Sequence, residues 1–216
     1  MRLYSHLPLF VISGLMLLCF SVQADVNTEI KEVQKEWARI KYTLGKKQHE
    51  DALEKLTLKA ALIRENQPDN ADAHLWEGIV LSTYAGAIGT LRALDAVTKS
   101  RDALEKSLKI DPEASKGAAN TYLGTLYVLV PEWPIGFGDL DLAKQYLDKA
   151  IMLNPDDIDA NLYYGDFLKK KKKYKQAEVF YKKALSAPAR PGREVADEGR
   201  RNEAKERLAE ILVKSK

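Results

Sequence analysis

A chain of 216 residues with 30% charged side chains, 34 Lys+Arg against 31 Asp+Glu and a formal net charge of +3 is too balanced for a general electrostatic grip on nucleic acid. A single cysteine, Cys19, excludes an internal disulfide and a cysteine-rich metal site. Three histidines leave little material for imidazole-based metal or proton chemistry.

The first segment reads as an address. Arg2 is the one formal charge before Asp25, the apolar run Leu7 to Phe20 follows it, and Val22-Gln23-Ala24 closes it with small residues. That order predicts a secretory signal peptide over residues 1–24 with cleavage after Ala24, and hence a periplasmic or secreted protein. The run is 14 residues long, whereas a membrane span needs about 20. Leu18 precedes Cys19 where a lipoprotein processing site would hold a small residue, so no lipid anchor is expected. The mature chain 25–216 then has no cysteine and must fold on packing alone.

In chain order the mature sequence predicts nine helices, near Val26–Leu44, Gln48–Glu65, Asn70–Ala93, Ala96–Ile110, Glu113–Leu129, Leu140–Leu153, Asp157–Lys171, Tyr174–Ala187 and Glu194–Lys214. Turns are marked by Pro68, Pro112, Pro155 and Pro188, three of them in NQPDN, KIDPE and LNPDD, where proline stops one helix and Asp or Asn can cap the next. The last helix carries Ala204, Leu208, Ile211 and Leu212 on one stripe among charges, as a terminal cap with one wet face would.

Two blocks recur. An alanine precedes a glycine by five positions at Ala73/Gly78, Ala119/Gly124 and Ala160/Gly165, with Trp76, Tyr122 and Tyr163 two before each glycine. Glycine inside a helix costs about 1 kcal/mol, so three placed alike predict a partner helix in close approach. The second block, Ala143, Leu147, Ala150, returns as Ala177, Tyr181, Ala184 after 34 residues, and Ser100, Leu104, Ser107 hold the same place earlier. The chain therefore resembles the tetratricopeptide repeat family, whose 34-residue unit is an antiparallel helix pair. The resemblance implies an all-α, right-handed helix-hairpin superhelix, one domain over 25–216 with units near 26–68, 69–112, 113–155 and 156–191 and a capping helix 194–214. Against the 12-residue step from Gly165 to Ala177, the earlier copies carry insertions of 7 and 10. The first of these falls in VPEWPIGFGD, Val130 to Asp139, which is read as a lengthened turn inside a repeat.

Little in the sequence points to catalysis, a cofactor or a metal. His49 and His74 are read as structural, and Asp139, Asp141, Asp156, Asp157 and Asp159 open predicted helices, where carboxylates cap free N–H groups and complement the helix dipole. Lys169 to Lys173 is expected at an exposed turn, with peripheral contact to anionic lipid as the further possibility. Trp133 and Phe137 are candidate loop contacts, read first as rings sealing the seam left by the long turn and second as a grip on a ligand.

The family resemblance implies a scaffold rather than an enzyme, binding a protein or peptide in a concave groove lined from the first helix of each repeat. Carried through the three glycines, the lining is Leu75, Ile79 and Ser82, then Thr121, Thr125 and Val128, then Leu162, Asp166 and Lys169. Self-association of the same surface is compatible with this lining. From about Ala73 onward, the order of long helical repeat, GFGD turn and YYGDFL is also similar to TatT-type helical proteins of tripartite substrate-binding transporters. That similarity implies the alternative role of an accessory to a transport system, with a solute-binding protein as partner. The missing lipid-anchor site departs from that pattern.

Overall fold

The computed structural model describes residues 12–214, so Arg2 and the start of the expected leader lie outside the described residues. Nine helices account for nearly all of the described chain: α1 (Ile12–Thr43), α2 (Lys46–Asn66), α3 (Ala71–Ile88), α4 (Thr90–Ile110), α5 (Ala114–Leu129), α6 (Leu140–Leu153), α7 (Ile158–Lys170), α8 (Tyr174–Ser186) and α9 (Glu194–Lys214). Cleavage after Ala24 would leave α1 from Asp25 to Thr43. Successive helices pair as hairpins, α1 with α2, α3 with α4, α5 with α6 and α7 with α8, and the odd-numbered helices lie side by side along one face. This is an all-α solenoid of tetratricopeptide type.

The starts of α3, α6 and α7 follow from side-chain capping. Asn70 Oδ1 accepts from the Ala73 N–H at 3.0 Å, Asp139 Oδ1 from Asp141 and Leu142 at 2.8 and 2.9 Å, and Asp157 Oδ1 from Ala160 at 2.8 Å. The KIDPE turn departs from this scheme: no side chain caps α5, and Ser115, Lys116 and Gly117 instead wind through a left-handed turn with φ of 45°, 54° and 89°.

The recurring glycines do what their spacing predicts. A Cβ at Gly78 would lie 2.6 Å from Leu104 Cγ, one at Gly124 2.6 Å from Leu147 Cγ, and one at Gly165 2.5 Å from Tyr181 Cε1. The second-block residues are the knobs that fill these gaps, and Leu104, Leu147 and Tyr181 are fully buried. The ten-residue insertion is absorbed as extra helix rather than loop. α3 and α4 each run past their usual ends and break only at Gly89, whose φ of 81° suits glycine. Ser100 Oγ donates to the Gly78 carbonyl at 2.6 Å and ties the lengthened pair.

α9 does more than close the end of the stack. Besides α8 it packs on α7 and on α1, so the last helix meets the first across the inner face. Ala204 and Ile211 are buried as the stripe predicts, while Leu212 is 44% exposed and the polar residues Asp197 and Arg200 are buried instead. The closing contact is tight enough that any Cβ at Gly199 would strike the Tyr42 ring of α1.

Candidate functional site

The inner face, where α1, α3, α5 and α7 line up, carries an aromatic floor. Trp37 of α1 meets Trp76 of α3 edge-on at 6.0 Å, and Tyr122 of α5 meets Tyr163 of α7 at 5.7 Å. α9 lays Arg200 onto this floor, with its guanidinium 5.2 Å from the Trp37 ring centre and 4.9 Å from that of Tyr163. Rings hold a cation by their quadrupole, but a fully buried charge also needs anions. Arg200 donates to Asp159, to Glu203 at 2.8 Å and to the Tyr122 hydroxyl at 3.0 Å. Asp159 accepts a second guanidinium from Arg190 at 2.7 Å, and Arg190 also binds Asp197 at 2.8 Å.

Burial pushes the Asp159 carboxyl up, yet Arg200 and Arg190 together hold it well below the usual carboxylate range. Glu203 shows the same contest: burial raises it, while Arg200 and Lys41 win and bring it from 4.5 down to about 2. The sign follows directly. A depressed folded-state pKa contributes stability that is complete above the unfolded value of 4.5 and is lost as pH falls toward 2. The expected loss is about 3 kcal/mol from this group between pH 5 and pH 2. Asp157 and Asp166 are raised by burial and act oppositely, so the measure is the difference between the parent and Glu203→Gln in urea midpoint against pH. The variant's curve should be the flatter one on the acid side.

Beside this cluster the inner face stays open as a cleft of about 410 Å³, between Leu75, Trp76 and Ile79 of α3, Lys116 and Tyr122 of α5, the α6–α7 turn, and Arg190 and Arg193 ahead of α9. Arg193, unlike Arg190 and Arg200, forms no ion pair among the described residues. Its guanidinium lies 5.0 Å over the Trp76 ring, but its Nε is buried with no hydrogen-bond acceptor among the described residues. Burial pushes this guanidinium below its ordinary value, with Asp159 acting against the shift only from a distance. The left-handed turn at Ser115 and Lys116 brings the exposed Lys116 to the rim of the same cleft. Each non-glycine residue held there costs about 1 kcal/mol or more, which marks the segment as one that the surroundings impose.

The nine groove positions named from sequence divide into three groups. Leu75 and Ile79 border the cleft. Thr121, Val128 and Leu162 are enclosed, at 8% exposure or less. Ser82, Thr125, Asp166 and Lys169 are partly exposed, and the last two are already held by α9, Asp166 by Arg207 and Lys169 by Glu210, each at 2.9 Å. The groove thus holds the chain's own last helix along α7. Sequence reasoning passed over Arg190, Arg193 and Arg200, although Gly199, a glycine in mid-helix, carried the same signal as Gly78.

The VPEWPIGFGD loop splits its two rings. Phe137 packs inward against Tyr127 at 5.4 Å with the Arg101 guanidinium 4.7 Å over it, so it seals the seam. Trp133 does not: it is 86% exposed, which corrects the plug reading for this residue. The two histidines tie backbone carbonyls, His49 to Leu44 at 3.0 Å and His74 to Pro68 at 2.8 Å. Among the described residues no group of His, Cys, Asp and Glu is arranged to hold a metal ion, and no helix is long and apolar enough to cross a membrane.

With this geometry in view, comparison with protein families gives a match to part of the chain. The family model described as tetratricopeptide repeat matches residues 135–193, from the end of the loop through α6, α7 and α8. A search of curated proteins returned no match. The matched repeat is of a kind that acts as a scaffold for contacts between proteins.

Proposed function

We propose that the chain is an exported scaffold, periplasmic or secreted, that binds a partner protein at the inner-face cleft by taking a carboxylate of the partner onto Arg193. The observation that carries this reading is the buried Arg193 Nε without an acceptor among the described residues, stacked on Trp76 in a stretch of inner face that stays open beside α9. Its neighbour Arg190 is already ion-paired with Asp157, Asp159 and Asp197, so an incoming anion meets Arg193 and Lys116, the cations of the cleft that form no ion pair among the described residues. A hydrogen bond to a charged group contributes about 1.5–3 kcal/mol, or roughly ten- to a hundredfold in affinity.

The test is photo-crosslinking in the cell envelope from Lys116, an exposed rim position, in the parent and in Arg193→Gln. A partner captured by the parent should fall roughly tenfold or more in the variant, with the melting temperature of the chain unchanged. Equal capture by both would rule out Arg193 as the anchor. The cleft volume also lies within the range of about 300–1,000 Å³ typical of small-ligand sites, which favours the second reading, an accessory of a substrate-binding transport system. Native mass spectrometry of the purified chain separates the two: a carried-over small anion lost in Arg193→Gln supports the transport reading.

A further inference from the structure

We propose that the edge of the solenoid formed by the α5–α6 loop and the α7–α8 turn binds the surface of an anionic bilayer. Trp133 and Ile135 enter the headgroup region there, and Lys170 to Lys173 pair with the headgroups. This surface is separate from the cleft and does not depend on it. Antiparallel hairpins in series place the turn within each hairpin at one edge and the turns between hairpins at the other. The two turns in question are neighbours on that edge, since Asp141 and Lys144 at the start of α6 share a hollow of about 330 Å³ with Lys171 and Lys173.

The apolar half of the surface is built to project. Trp133 is 86% exposed, Ile135 69% and Leu129 71%. The loop beneath them is not slack. Gly138 N–H donates to the Pro131 carbonyl at 2.9 Å, Asp139 N–H to Tyr127 at 3.1 Å, and Phe137 is pinned inside. A rigid loop that buries one ring and holds the other out in water has put that apolar area where an outside phase can receive it. Tryptophan with an aliphatic neighbour on a convex tip suits the headgroup layer, where a ring meets both acyl chain and water.

The basic half fixes the sign of that phase. Lys170, Lys171, Lys172 and Lys173 are all exposed, and among the described residues none has an acid within ion-pair distance, whereas Lys169 and Lys214 share Glu210. Lys172 also sits at φ 59°, the left-handed stop of α7 that glycine would occupy without strain. A lysine there serves charge rather than the turn. Glu132 beside Trp133 and Asp141 in the shared hollow are exposed acids of this surface, and the four lysines outnumber them. Lysines with flexible stems and adjacent apolar tips fit a fluid anionic surface, to which each cation adds independently.

The test uses the full chain as purified from the envelope and vesicles of phosphatidylcholine with or without roughly a third of phosphatidylglycerol. Of the three tryptophans, Trp37 and Trp76 are buried, at 1% and 4% exposure, so Trp133 is the ring that solvent and lipid can reach. Expected are a blue shift and quenching of its emission by brominated acyl chains with the anionic vesicles alone. Both should weaken with salt, and replacing Lys170, Lys171, Lys172 and Lys173 by Gln should cost on the order of a thousandfold in vesicle affinity at low salt. In Trp133→Phe the quenching should disappear while circular dichroism stays unchanged. The proposal is overturned by vesicle binding that leaves Trp133 unquenched, as attachment through the N-terminal apolar run would. Equal binding by the lysine variant, or quenching that survives in Trp133→Phe, overturns it as well. So does a photo-crosslinker at Ile135 that captures protein and no lipid in the envelope.

Discussion

Arg200→Ala is expected to destabilise the folded chain by about 3–5 kcal/mol, the range for breaking a buried ion pair by removing one partner. The reason is what stays behind. Arg200 is 1% exposed and is shared by Asp159, Glu203 and the Tyr122 hydroxyl, over a floor of Trp37 and Tyr163. Its removal leaves Asp159 with Arg190 alone and empties a large volume between α1, α7 and α9. Arg200→Met, which fills that volume without the charge, should recover part of the loss, and combining it with Asp159→Asn should recover more, because the stranded carboxylate is then gone. Urea unfolding followed by far-ultraviolet circular dichroism measures all three. A second, earlier transition in Arg200→Ala would mean that α9 leaves the inner face while the hairpins stay folded, as the nearest-neighbour energetics of repeat proteins permit. A cost below about 1 kcal/mol would show that Ala204 and Ile211 hold α9 and that the charges merely accompany them.

The contrast between α9 and the hairpins explains which parts of the molecule were legible in the sequence. Helix ends at proline turns and glycine contacts between paired helices are local in sequence, so spacing reveals them: α6 and α9 have the bounds expected, and Gly78, Gly124 and Gly165 all face a second-block residue. The break between α3 and α4 was expected past Ala93 and falls at Gly89 instead. In YAGAIGTLRALDA no proline marks the stop, and either Gly86 or Gly89 could have served. The left-handed start of α5 has no sequence signal beyond Gly117. The inner-face charges were illegible for a different reason. An arginine in a charged amphipathic helix is assigned to water by any count of periodicity, and only the return of α9 onto α1, a contact across most of the chain, turns Arg200 inward. Gly199 was the one available hint, since its missing side chain makes room for Tyr42. In VPEWPIGFGD composition announced two large aromatics but not their directions. Phe137 turns in because Tyr127 and Arg101 receive it, and Trp133 has no such receiver.

At the contact of Gly124 with Leu147, helix propensity and packing pull in opposite directions. Gly124→Ala gains about 1 kcal/mol in helix propensity, but its Cβ would stand 2.6 Å from Leu147 Cγ and 3.1 Å from the Ala143 carbonyl oxygen, which is backbone and cannot swing away. Overpacking costs about 1–3 kcal/mol, so the net effect is destabilising by roughly 1 kcal/mol or somewhat more. Leu147→Ala should cost about 2–5 kcal/mol, since Leu147 is fully buried and its removal opens a hole facing a glycine that cannot fill it. The double variant decides the matter. With Leu147 shortened the new methyl at 124 has space, contributes its propensity and fills part of the hole, so the pair should be more stable than Leu147→Ala alone. A coupling of about 1–2 kcal/mol is then expected between the two changes. Thermal and urea unfolding of the four proteins of this cycle measure it, and additive effects would mean that something other than this contact sets the distance between α5 and α6. The same cycle at Gly78 and Leu104 should behave alike because the geometry is the same. At Gly165 it should not: Tyr181 also donates its hydroxyl to Asp166 at 2.8 Å, so shortening it takes away a hydrogen bond that no methyl at 165 can replace and leaves the carboxylate to Arg207.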